Sequence, residues 1–134
     1  MIRNALSGVV LVSLVGCATM TGSPCGDGEH RAVQELLYFG AETPSGNVTP
    51  DNWTQFLNET VTPRFPEGLS VWQASGQWRS TSGKVIREPT YVLSLLHSDD
   101  PDQEQAIQEL IGSYKTRFQQ EAVLPVRSSV CKSL

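Results

Sequence analysis

Between residues 32 and 130 the apolar residues change their spacing in a definite order: strand, helix, strand, strand, helix, strand. This order limits the fold more than any single motif does. Residues 32–40 (AVQELLYFG) form a short apolar and aromatic run, stopped by Gly40 and by Pro44, Ser45 and Gly46, and read as a strand. Thr49 then supplies a helix N-cap with Pro50 at the first helical position. Trp53, Phe56, Leu57 and Val61 recur at helical spacing up to Pro63, predicting an amphipathic helix of about three turns. The prolines and terminal glycine of residues 62–68 (TPRFPEG) make a helix exit and loop. Runs of β-branched and aromatic residues at 69–79 and 85–98 flank STSGK at 80–84, which predicts a hairpin. Pro89 cannot donate to a ladder, so a bulge is expected there, with the well-paired portion over residues 91–97. Asp100, Pro101 and Gln103 give a second N-cap, an N1 proline and a capping-box partner, and Ile107, Leu110, Ile111, Tyr114 and Phe118 form one helical stripe. Residues 121–130 read as the last strand.

Two βαβ-type units in this order specify an α+β, ferredoxin-like βαββαβ domain: a four-stranded antiparallel sheet with two helices on one face. The first strand then lies beside the last, antiparallel to it. The strands at 69–79 and 85–98 are apolar on both sides, with Leu69 and Val71 opposing Trp72, Ala74 and Trp78, and Tyr91, Leu93 and Leu95 opposing Val92 and Leu96. A sheet that is helix-covered on one side but apolar on both buries its second face against something. A homodimer through the open face is the first expectation; the other is that the N-terminal tether or the loop at 62–68 folds over it.

The 134 residues suffice for one domain and no more. Ten Lys and Arg against 14 Asp and Glu give a net charge of −4 with no basic cluster, so nucleic acid is excluded as a partner. The chain opens with Arg3 and an apolar run over residues 5–16, too short to span a bilayer, that ends in Leu14-Val15-Gly16 directly before Cys17. These four residues resemble the lipobox of a bacterial lipoprotein signal peptide. The resemblance implies a leader over residues 1–16, cleavage before Cys17, acylation of Cys17 with fatty acids such as palmitate, and anchoring in the cell envelope; the alternative is an ordinary signal cleaved near Ala18, leaving a soluble secreted protein. Ala18 follows with no Asp at that position, which implies the outer membrane, facing the periplasm. Residues 17–29, rich in Thr, Gly and Ser, read as a flexible tether, and residues 30–134 as the domain. With Cys17 lipidated, Cys25 and Cys131 remain as an even pair in an oxidising compartment and are expected to bond. No cysteine and histidine spacing suits a metal, and no cofactor motif is present.

Several phrases carry a further likeness: Glu35 to Gly40 (ELLYFG), Val61 to Leu69 (VTPRFPEGL), Gly76 to Arg79 (GQWR), and Tyr114 to Phe118 (YKTRF) with Gln120 to Leu124 (QEAVL). They resemble the bacterial domain-of-unknown-function family 3574 over nearly the whole domain. The resemblance implies a compact secreted or lipid-anchored α+β domain and brings no activity with it.

Arg64 and Arg79, with Arg87 and Glu88, are candidate ligand groups, since arginines near Trp72 and Trp78 can hold a carboxylate or phosphate while a ring stacks on the indole. The plainer readings are that Arg64 faces the dipole of the helix it follows and that Arg79 pairs with Glu88 across the hairpin. His97, just before Asp99 and Asp100, has the composition of a general acid/base with a carboxylate partner, or is a strand-end residue beside helix caps. Tyr38 either hydrogen-bonds a ligand or is a core residue with its hydroxyl at the rim. No nucleophile motif accompanies them. The sequence therefore reads as a non-enzymatic, lipid-anchored envelope protein that binds a protein or small-molecule partner at its sheet. The alternative is a small cofactor-independent enzyme of the dimeric α+β barrel type, using Tyr38, His97 and Arg79.

Overall fold

The computed structural model describes residues 25–133. The expected leader, the lipobox ending at Cys17 and the tether as far as residue 24 lie outside the described residues. Strand β1 (His30–Gly40) is followed by a small hairpin, β2 (Glu42–Thr43) and β3 (Gly46–Asn47), and by helix α1 (Pro50–Phe56). Then come β4 (Leu69–Arg79), β5 (Val85–His97), α2 (Pro101–Phe118) and β6 (Val123–Lys132). The sheet order β4-β5-β1-β6, with all three pairings antiparallel, is that of the expected ferredoxin-like fold.

Helix α1 starts where the sequence places it. Thr49 accepts from the Asn52 backbone N–H at 3.2 Å, and Asn52 Oδ1 accepts from the Thr49 N–H, closing a capping box. The expected three-turn helix is not α-helical to its end, because the chain widens into a π-type turn over Leu57–Val61, with Thr62 N–H donating to the Leu57 carbonyl. The wider turn keeps Trp53, Phe56 and Val61 all buried on one side. Helix α2 begins at Asp100, which accepts from the Gln103 N–H, and ends at Gln119 in the left-handed conformation.

The expected bulge at Pro89 does not form. The β4–β5 register runs unbroken through Ser75↔Pro89 and Gly76↔Glu88. In an antiparallel strand the nitrogen and oxygen of one residue point to the same neighbour. The Pro89 carbonyl accepts from Ala41 N–H, so its nitrogen also faces the β1 side, just where β1 leaves the sheet. The Ala41 carbonyl left without that donor takes the Val48 N–H instead, at 2.8 Å. Two bounds also shift: β1 begins two residues earlier than expected, and β6 runs from Val123 through Cys131 rather than over residues 121–130. Cys131 thus sits in the ladder opposite Arg31, and Cys25, just ahead of β1, is disulfide-bonded to it with the Cα atoms 5.6 Å apart.

Both helices cover the sheet face that carries Leu37, Phe39, Tyr91, Leu93 and Leu95, and with Trp53, Phe56, Ile107, Leu110 and Tyr114 they close the core. The loop after α1 also goes to this side, burying Phe65, so it does not cover the opposite face. That face stays open among the described residues. Its residues include Leu36, Tyr38 and Val92, and it exposes Trp72 (46%), Leu96 (45%), Leu124 (60%) and Val126 (41%).

Candidate functional site

At the Gly40 end of β1 the open face dips into a cleft of about 360 Å³, lined by residues from every strand of the main sheet and by the α2–β6 turn. Its floor exists because two glycines fall where strand side chains would stand. Gly40 pairs with Thr90, and Gly76 pairs with Glu88. A Cβ at Gly40 would overlap the Glu88 carboxylate, and one at Gly76 would overlap the Thr90 hydroxyl. Glu88 is buried, with Oε1 accepting from Trp78 Nε1 at 2.7 Å and Oε2 from the Glu42 N–H at 2.6 Å. From below, Tyr114 of α2 donates its hydroxyl to the Gly40 carbonyl at 2.9 Å. Burial pushes the Tyr114 phenol far above its usual value, so it stays a donor at any physiological pH. Gly40→Ala is expected to drive the carboxylate off both donors and cost about 1–3 kcal/mol, read from urea denaturation.

Of the residues singled out from sequence, Tyr38, Trp78 and Glu88 meet in this cleft. Trp72 lies on the same face in the cross-strand row of Val92 and Tyr38, but outside the lining. The arginines do not converge on it. Arg64 donates to the Thr60 carbonyl at 2.8 Å, at the end of the first helical segment, and approaches Glu109. Arg79 reaches toward the Gly83 carbonyl, and Arg87 donates to Gln77. The cross-strand Arg79–Glu88 pair is absent, because the register sets Arg79 opposite Val85. The glycines, Thr90 and Leu124 went unrecognised in the sequence, although a glycine inside an otherwise β-branched and aromatic run is the usual sign of close backbone approach.

His97 lies on the other side of the sheet, under the helices and beside the Phe65 ring, so it shares no cavity with Tyr38 or Glu88. It belongs to a second buried group. Its Nδ1 is 2.7 Å from the Ser98 carbonyl, and its Nε2 is 3.7 Å from Glu35 Oε1. Arg127 Nε lies 3.8 Å from the same oxygen, while the rest of its guanidinium pairs with Asp99 and Glu104. Burial pushes the Glu35 carboxyl above its usual value, outweighing the opposing pull of Arg127 and His97. The native state therefore holds this proton more tightly than the unfolded chain does. The stabilisation it brings is present at acid pH and is lost as the pH rises through the native titration. Urea denaturation across the acid-to-neutral range is expected to show this fall, and Glu35→Gln is expected to flatten it.

Solved structures share this fold at low identity. A phage SAM lyase in complex with S-methyl-5'-thioadenosine is 14% identical and superposes with a TM-score of 0.58, covering 87% of this chain and 97% of its own. The apo form of a phage SAM lyase gives 12% and 0.55, covering 85% and 97%. CutA from Synechococcus elongatus gives 12% and 0.51, covering 77% and 80%. No curated protein matches the sequence. The match to the family described as protein of unknown function (DUF3574) spans residues 34–134, from the first strand through both helices to the last strand, and the chain belongs to that family.

Proposed function

We propose that this chain is a lipid-anchored envelope protein, held by acylated Cys17 in the outer membrane and facing the periplasm. Its domain binds through the open sheet face rather than carrying out chemistry, and it does so as a homodimer. The observation that carries this reading is the exposure of Trp72, Leu96, Leu124 and Val126 together on one face that no helix or loop among the described residues covers. An apolar patch of this kind on a small domain marks an association surface. Crosslinking in intact envelopes and sedimentation of the purified protein are expected to give a dimer, and Leu124→Lys to convert it to monomer; a wild-type monomer at all concentrations would overturn the dimer. Metabolic labelling with a fatty-acid analogue is expected to mark the wild-type chain and leave Cys17→Ser unmarked.

A second reading, a small enzyme of the dimeric α+β barrel type, draws on the cleft that joins Tyr38 to Glu88 and on the fold shared with a phage SAM lyase. His97 has no part in it, because the sheet separates it from the cleft. Titration with S-methyl-5'-thioadenosine tests this reading, and absence of saturable binding removes it in that form.

A further inference from the structure

We infer that the cleft at Glu88 takes a compact organic cation, an alkylammonium group carried on an apolar body. This rests on the reading of the open face as the binding surface. The sign of the ligand follows from a comparison of the two buried glutamates, Glu35 and Glu88. Glu35 has Arg127 and His97 within 4 Å. Glu88 has no Lys, Arg or His that close among the described residues; its partners are two neutral N–H groups. A buried carboxylate is normally balanced by a cation as well as by hydrogen bonds, and here the cation is the missing part.

The lining decides the rest. No basic side chain lines the cleft, so an anion finds no counter-charge. The Trp78 and Glu42 N–H groups are spent on the carboxylate, which leaves few donors for a neutral, acceptor-rich ligand. The free capacity is the second lone pair on each Glu88 oxygen, the Thr90 hydroxyl, and the apolar and aromatic walls of Tyr38, Trp78 and Leu124. A bare metal ion needs several oxygen ligands, and the cleft offers one carboxylate. An alkylammonium head suits both parts of the site, being attracted to the carboxylate and to aromatic surface while its body fills a volume normal for a small-ligand pocket.

The probe pair is choline and its uncharged carbon isostere 3,3-dimethyl-1-butanol, titrated into the full chain in maltoside micelles and followed by calorimetry and tryptophan fluorescence. Choline is expected to bind saturably, with the isostere and the Glu88→Gln variant each weaker by about tenfold or more. Should Glu88→Gln fail to fold, the wild-type comparison of choline with its isostere decides alone. Equal binding of the two probes overturns the inference. No saturable choline binding by a chain that still crosslinks as a dimer also overturns it, and leaves the open-face reading standing. Choline binding by a chain that sediments only as a monomer supports the cation site and overturns the dimer.

Discussion

Replacing Cys25 and Cys131 together by serine is expected to lower the free energy of unfolding by about 3–5 kcal/mol, near the upper end of what one crosslink contributes. The size follows from the 106-residue separation of the two cysteines, because closing so long a loop removes much of the freedom of the unfolded chain. On the chain-entropy account a loop of ~100 residues corresponds to ~4.7 kcal/mol, comparable with the whole net stability of a small domain. The bond also holds the start of β1 against the end of β6, the ladder that runs from His30↔Lys132 to Phe39↔Val123. Urea denaturation of the double variant beside the oxidised wild type measures the effect, and adding reductant to the wild type should reproduce it. A change below about 1 kcal/mol would show that the unfolded chain is already compact enough to make the crosslink redundant. Amide exchange would then be altered only at the β1 and β6 ends.

Phe39→Ala is expected to cost about 3–5 kcal/mol by the same measurement. Phe39 is fully buried in the inner strand β1, with its ring centroid 4.6 Å from that of Tyr114, 5.2 Å from Trp53 and 6.1 Å from Phe56. From the sheet it meets rings of both helices. Removing it leaves a cavity whose walls are themselves large rings, in a core that relaxes only in part. Because Tyr114 also bonds the Gly40 carbonyl, loosening its ring is expected to disturb the cleft floor as well. Phe39→Leu, which keeps much of the volume, should recover a large part of the loss.

The fold was legible because its signals are local: prolines and caps opened both helices, and strand runs of β-branched and aromatic residues fell between glycine-rich turns. What escaped depended on how strands align. Pro89 looked disruptive until the register showed its nitrogen turned toward the point where β1 departs. Arg79 and Glu88 looked like a cross-strand pair, yet the constant register gives Glu88 to Gly76, where the absence of a side chain lets Trp78 reach it. His97 was visible as a candidate, but its side of the sheet is fixed by alternation across two neighbours, and it falls with Val33 and Leu95 under the helices. Glu35 drew no notice within an apolar run, although inward-facing acid at that position requires the Arg127 that β6 brings opposite it.

The disulfide also fixes the N-terminal segment to the His30 end of β1. Under the anchoring proposed at Cys17, the eight residues 18–25 can reach no more than about 28 Å. The cleft lies at the other end of β1, 11 residues or about 35 Å along the strand. Under the proposed anchoring, the point of attachment and the mouth of the cleft thus stand at opposite ends of one strand.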